Sequence, residues 1–162
     1  SISADESSCE DTVNLINVSG YLNEISIKNA FSDGLDVDFS NLKINNVKVI
    51  SAGNDCVDFS SGKYFLINAI LENCGDKAVS IGEKSTAEIS NIYAKRSDTG
   101  IASKDSSITV IEKNKFENLN TCISVYNKKQ EFDGGIVKLK NLNCVNYKKE
   151  TNLDKKSKIV YQ

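Results

Sequence analysis

Laid against itself at a spacing of about 22 residues, the chain brings six segments into register without a gap. They are Glu10-Asp-Thr-Val-Asn-Leu15, Ser32-Asp-Gly-Leu-Asp-Val37, Asn54-Asp-Cys-Val-Asp-Phe59, Asp76-Lys-Ala-Val-Ser-Ile81, Asp98-Thr-Gly-Ile-Ala-Ser103 and Asn120-Thr-Cys-Ile-Ser-Val125. Each runs from polar residues through a small one to an aliphatic residue, and then usually to a second apolar residue two places on. That alternation belongs to a strand with one buried face. A unit of this length cannot bury its apolar face alone, so successive copies must stack on one another.

A second column follows in each unit, apolar-x-x-apolar-x-apolar: Leu22/Ile25/Ile27, Ile44/Val47/Val49, Leu66/Ala69/Leu71, Ile89/Ile92/Ala94, Ile111/Asn114/Phe116 and Leu139/Leu142/Cys144. It drifts by one residue after the third unit and by about six more before the last. The larger shift predicts an insertion near Gln130 to Gly135, carried as a loop on one face of the coil. Two architectures share such a period. Leu66-Ile-Asn-Ala-Ile-Leu-Glu-Asn-Cys74 fits a leucine-rich repeat, but the position two residues past the Asn/Cys slot, which should be apolar, is Ser32, Asn54 and Asp76. Leu is also scarce, and the other half of each unit alternates like a strand. The expected fold is therefore all-β, a single-domain right-handed parallel β-helix of about six 22-residue rungs. Residues 1–9 read as a polar lead-in, 10–147 as the coil and 148–162 as a Lys-rich tail, with Lys158-Ile-Val-Tyr161 as a further partial strand.

The x-D-G-φ-x-φ strand followed by φ-x-N-φ-x-φ, with Asn46, Asn68, Asn91 and Asn141 in the Asn slot, resembles the right-handed β-helix repeat family. Glu24 and Lys113 depart from the Asn. Gly82-Glu-Lys-Ser85, Gly100-Ile-Ala-Ser-Lys-Asp105 and Tyr126-Asn-Lys-Lys129 are more faintly similar to bacterial surface-type β-helix proteins. The resemblance implies a fold rather than an activity, because that fold serves pectate lyases, polygalacturonases, epimerases, tailspikes, adhesins and inert stalks alike.

Composition removes several chemistries. The chain has no His, no Pro, no Trp and no Met even at position 1, and its formal net charge is −2. A processed or excised chain is expected from the last absence. Without imidazole, Ser-His-Asp triads and most zinc or copper sites are excluded. The charge gives no footprint for nucleic acid, and no apolar run is long enough to span a bilayer. Among the cysteines, those in one column or aligned position, such as Cys56 and Cys122, lie about three rungs or ~14 Å apart, beyond disulfide reach. The expectation is five buried, unpaired thiols behaving as small hydrophobes, with neither disulfide nor metal cluster.

Outward-facing residues of the first strand fall into three columns: Asn14, Asp36, Asp58, Ser80, Ala102, Ser124; then Ile16, Asp38, Ser60, Gly82, Lys104, Tyr126; and, at the corner, Asp11, Asp33, Asp55, Lys77, Thr99, Thr121. Acids gather on rungs two and three, where stacked like charges ~4.8 Å apart are unfavourable without a counter-ion. Asp36, Asp38 and Asp58 are thus the candidate metal ligands, with Ca²⁺ as the cation whose oxygen preference they suit. Asp36, Asp58, Lys104, Tyr126 and Lys128 form the candidate polysaccharide-binding strip, with Tyr126 and Tyr93 as rings for stacking. Against that stand a solvated face and, for Asp11, Asp33 and Asp55, simple capping of backbone N–H groups. The family's polygalacturonases and epimerases imply a His, and its pectate lyases a strand-face Arg; the only Arg here, Arg96, falls near a turn. No catalytic residue is assigned. The expected function is a non-catalytic module of a surface or secreted protein, acting as scaffold or carbohydrate-binding face. A fragment of a lyase, epimerase or hydrolase acting on acidic polysaccharide is the alternative. Uncapped coil ends call for neighbouring sequence or an end-stacking chain.

Overall fold

The computed structural model describes residues 1–162, all of them in strands and the turns between them. The strands are β1 (Ile2–Ser7), β2 (Asp11–Ile16), β3 (Ser19–Ala30), β4 (Asp33–Asp38), β5 (Asn41–Ala52), β6 (Val57–Ser60) and β7 (Lys63–Cys74). They continue as β8 (Lys77–Gly82), β9 (Thr86–Lys95), β10 (Thr99–Lys104), β11 (Ile108–Tyr126), β12 (Ile136–Leu139), β13 (Cys144–Leu153) and β14 (Lys158–Tyr161). Every pairing is parallel and joins residues one turn apart, so the chain is a β-solenoid of about seven turns. No helix is long and apolar enough to cross a membrane.

The two sequence columns become two walls of the coil. Val13, Leu35, Val57, Val79, Ile101 and Ile123 stack directly, as do Leu22, Ile44, Leu66, Ile89, Ile111 and Leu139. In β5 the buried residues are Leu42, Ile44, Val47, Val49 and Ala52, with the outward pair Asn45 and Asn46 breaking the alternation. That double polar step marks where one long strand bends. There the Asn side chains stack, Asn68 donating to Asn46 (3.1 Å) and Asn91 to Asn68 (3.3 Å). Single residues in the left-handed region make the sharper corners. Asn29, Ser51, Asn73, Arg96, Asn118 and Asn146 form one such column, dominated by the residue type that tolerates positive φ best after glycine. Inside, the rings of Phe59 and Tyr64 stack with centroids 4.3 Å apart, and the buried phenol donates within reach of Ser60 O (2.7 Å) and Val37 O (2.9 Å).

The structure extends the coil at both ends. The polar lead-in contains β1, paired with β3, and the Lys-rich tail carries the end of β13 and all of β14. The insertion lies where the register shift placed it, between β11 and β12, but it is held down. Asp105 Oδ1 accepts from the N–H groups of Lys128 (2.7 Å) and Lys129 (2.8 Å), and Asn127 Nδ2 donates to Lys129 O and Phe132 O, both at 2.8 Å. Gly135 lies so close to the preceding rung that a Cβ there would fall 2.2 Å from Ser103 O.

The expectation of five unpaired thiols is overturned. Cys56 is bonded to Cys74 and Cys122 to Cys144, leaving only Cys9 free, and Cys9 is exposed rather than buried. Distances within aligned columns had ruled such bonds out, but the bonded pairs do not share a column. Cys56 opens a rung and Cys74 closes it; after nearly one full turn the chain returns beside its own start, with Cα atoms 5.3 Å apart. Cys122 and Cys144 meet similarly, at 6.3 Å.

Candidate functional site

The first-strand face runs along β2, β4, β6, β8, β10, the end of β11 and the end of β13. Parallel pairing stacks Asn14, Asp36, Asp58, Ser80, Ala102, Ser124 and finally Asn152 in one column. Beside it run Ile16, Asp38, Ser60 and Gly82, then Lys104 and Tyr126. Alternation puts these side chains outward because Val37, Phe59 and Ile81 between the columns point into the core.

Asp36, Asp38 and Asp58 stand together as expected, and no ion pair includes any of them. Partial burial, and then the charges of Asp38 and Asp58, push the Asp36 carboxyl up to about 7. Asp38 is raised by burial and by Asp58 and Glu83. Asp58 Oδ1 is buried without a hydrogen-bond partner, and Asn14 Nδ2 reaches Asp36 Oδ2 only at 3.3 Å. No group of three His, Cys, Asp or Glu side chains is arranged to hold a metal ion. Of the corner acids, Asp11 accepts from the Asn14 side chain (2.8 Å) and not from the backbone, whereas Asp33 and Asp55 are occupied with the backbone. Asp33 Oδ1 accepts from Asp55 N (2.8 Å), and Asp55 Oδ1 from Lys77 N (2.9 Å), each one rung on.

The upper rungs differ. Gly82 leaves room for the Lys104 stem, whose Cε would lie 2.9 Å from a Cβ at that position. Lys104 therefore folds down over rung four and donates to Ser80 Oγ at 2.7 Å, with only 8% of the residue exposed. Lys77 lies between Asp55 (3.4 Å) and Asp76; burial opposes its charge, but the Asp76 hydrogen bond and the two carboxylates hold the ammonium above its ordinary value. Asp55 is pushed up to about 6, because burial outweighs the Lys77 charge. On the far corner Lys129 pairs with Glu83, and that hydrogen bond keeps the Glu83 carboxyl below its usual range.

Between these rungs lies an open depression of about 270 Å³, lined by Asp76, Lys77, Thr99, Ser124, Tyr126 and Asn152. Of the expected strip, Tyr126 reaches this depression; Lys104 is turned away toward Ser80, and exposed Lys128 lies beyond the corner. Tyr93 belongs to another wall, where its hydroxyl donates to Glu117 (2.9 Å). Arg96 is likewise off the face, bound to Asn73 (2.6 Å) and Glu72 (2.8 Å). Lys77 was legible as the one base in an Asp column. Asn152 was not, because the insertion makes its spacing from Ser124 28 residues instead of 22. A larger hollow of about 640 Å³ lies at another corner, but Arg96, Asn120 and Asn146 on its lining are bonded to neighbouring side chains.

A family model described as the right-handed β-helix region matches residues 11–149. No curated protein and no solved structure gives a significant match.

Proposed function

Because the chain belongs to the right-handed β-helix family, whose fold alone assigns no chemistry, we propose that it is a non-catalytic module of a surface or secreted protein whose first-strand face binds an oligosaccharide. The observation that carries the reading is the depression beside Tyr126: an aromatic ring, a lysine kept charged by Asp55 and Asp76, and the polar side chains of Ser124, Thr99 and Asn152 around one open hollow. A sugar ring offers apolar C–H faces to a tyrosine and hydroxyls to such groups, and a uronate would add a carboxylate for Lys77. Below the hollow, Asp36 and Asp38 extend the strip with carboxyls that hold protons more readily than usual, and Asp36, pushed up to about 7, can both donate and accept hydrogen bonds near neutrality. Protons rather than Ca²⁺ relieve the like charges in this reading. Two disulfides support an oxidising location, outside the cell or on its surface.

A glycan array followed by calorimetric titration of the best ligand tests this, with Tyr126→Ala and Lys77→Ala as variants. Saturable binding weakened at least ~10-fold by Tyr126→Ala is expected, the loss of one stacking contact and its buried area. Wild-type protein that retains no glycan overturns the reading, and binding that requires added Ca²⁺ returns the acidic rungs to a metal role.

One observation favours the enzymatic alternative. Asp36, whose carboxyl is pushed up to about 7, is the register neighbour of Asp58 on the next strand, ~5 Å away by strand spacing, and a raised carboxyl beside a second is the kind of pair that a retaining glycoside hydrolase uses. Release of reducing ends from acidic polysaccharide, abolished by both Asp36→Asn and Asp58→Asn, would establish it over the non-catalytic reading.

A further inference from the structure

The hollow beside Tyr126 is small. At about 270 Å³ it falls below the ~300–1,000 Å³ over which pockets for small ligands range, whereas the larger hollow, at about 640 Å³, lies within it. The two are neighbours along the chain. Gly75 and Asp98 line the larger one, and the residues that directly follow them, Asp76 and Thr99, line the smaller. Only the short turn that leads from the end of one rung into the first-strand face separates them. Gly75 puts no side chain on that turn, because a Cβ there would fall 2.1 Å from Gly53 O. Asn73, Arg96 and Asn118 close rungs that have a paired rung on either side, so the larger hollow is built on the wall of the coil.

The bonds inside the larger hollow orient its side chains and leave a second set of groups open. Arg96 uses Nε on Asn73 and one Nη on Glu72, which fixes the guanidinium and leaves the other Nη without a partner. Asn118 accepts from Asn146 through Oδ1, while its own Nδ2 donates to no group of the protein. Asn120 donates to Asp98, and its Oδ1 accepts from none. A lone anion drawn to Arg96 would meet Asp98 on the same lining. Donors and acceptors held side by side suit instead a ligand that carries hydroxyls along its length.

We propose that the two hollows are subsites of one site, and that its ligand is an oligosaccharide chain long enough to cross the turn, with one end beside Tyr126 and the other over Arg96, Asn118 and Asn120. This rests on the oligosaccharide reading of the first-strand face and adds to it a minimum length and a direction. The chain runs along the strands and over the turn, not up the axis of the coil. Sugars in the larger hollow belong to a molecule already held at the smaller one, so each added contact raises affinity without a second association step.

Calorimetric titration with two series of oligomers, galacturonates and cello-oligosaccharides, each from disaccharide to octasaccharide, tests the proposal. The proteins are wild type, Tyr126→Ala and the double variant Arg96→Asn/Asn118→Asp, whose new residues tolerate the positive φ of both positions. For wild type, affinity in at least one series is expected to rise at least ~10-fold from disaccharide to octasaccharide. The double variant is expected to lose that rise, with a cooperative thermal transition to show that it is folded. Tyr126→Ala is expected to weaken every length. Affinity independent of length, or a rise that survives in the double variant, overturns the proposal and leaves the Tyr126 hollow as a site for a short sugar. Binding of no oligomer in either series overturns it together with the reading on which it rests.

Discussion

Rungs two and three and rungs four to six share one strand face, one register and one alternation, yet they treat charge in different ways. Asp36, Asp38 and Asp58 lie partly buried and form no ion pair, and burial together with the neighbouring carboxylates pushes the Asp36 carboxyl up to about 7, so that a proton rather than a cation relieves it. One rung on, each charge has a partner: Lys104 has Ser80, Lys77 has Asp55 and Asp76, and Glu83 has Lys129. The backbone is the same in both regions, so the difference lies in which side chains the repeat leaves small. Gly82 lets Lys104 fold inward onto Ser80, whereas no lysine comes within ion-pair distance of Asp36, Asp38 or Asp58.

The disulfides give the comparison its control, one in each half. Removing Cys56–Cys74 or Cys122–Cys144 by paired Cys→Ala substitution is expected to cost about 3 kcal/mol in either case, since loops of 18 and 22 residues differ little in closure entropy. Urea unfolding measures both, and a loss confined to one pair would mean that the halves differ in packing as well as in charge. Next in size is Ser80→Ala, which leaves the Lys104 ammonium buried without its acceptor and should lower stability by about 1–3 kcal/mol. Adding Lys104→Met to that variant should restore most of the loss; if it does not, Ser80 stabilises the coil by some other contact.

The acidic half should respond in the opposite sense to pH from most carboxylates. The Asp36 carboxyl is raised from 3.8 to about 7, so between those values the folded chain binds more protons than the unfolded one. Stability is then highest below the lower value and is lost as pH rises through the upper one. Discounted for the solvent screening of a half-buried group, Asp36→Asn should stabilise the protein by on the order of 1–2 kcal/mol at pH 8 and hardly at all at pH 4. Thermal unfolding across that range decides it, and a variant no more stable than wild type at pH 8 would remove the contrast between the halves. Smallest of all is Lys129→Ala, which breaks the partly exposed pair with Glu83 and should cost less than ~1 kcal/mol. Its effect should fade in high salt, whereas that of Ser80→Ala should not.

Much of this was legible from residue spacing, because a coil of constant period turns sequence distance directly into position. The stacking of Asp36 on Asp58, and of Lys104 under Tyr126, follows from the 22-residue step alone. What spacing along a column could not give was the direction of a long side chain. Lys104 sits in the expected column but extends across it to Ser80, and it does so because of the glycine beneath. The disulfides were missed because they join positions in different columns, which meet only once the cross-section of the coil is known. Asn152 was missed because the insertion before it changes the step.

The most direct test of the contrast is a carbon-detected NMR titration of the Asp side-chain carboxyls in the folded protein. The account predicts that Asp36 titrates with a midpoint near 7 and that the midpoint falls when Asp38 is replaced by Asn. An Asp36 midpoint at the ordinary value near 4 would contradict it, and would make the acidic rungs an ordinary solvated surface.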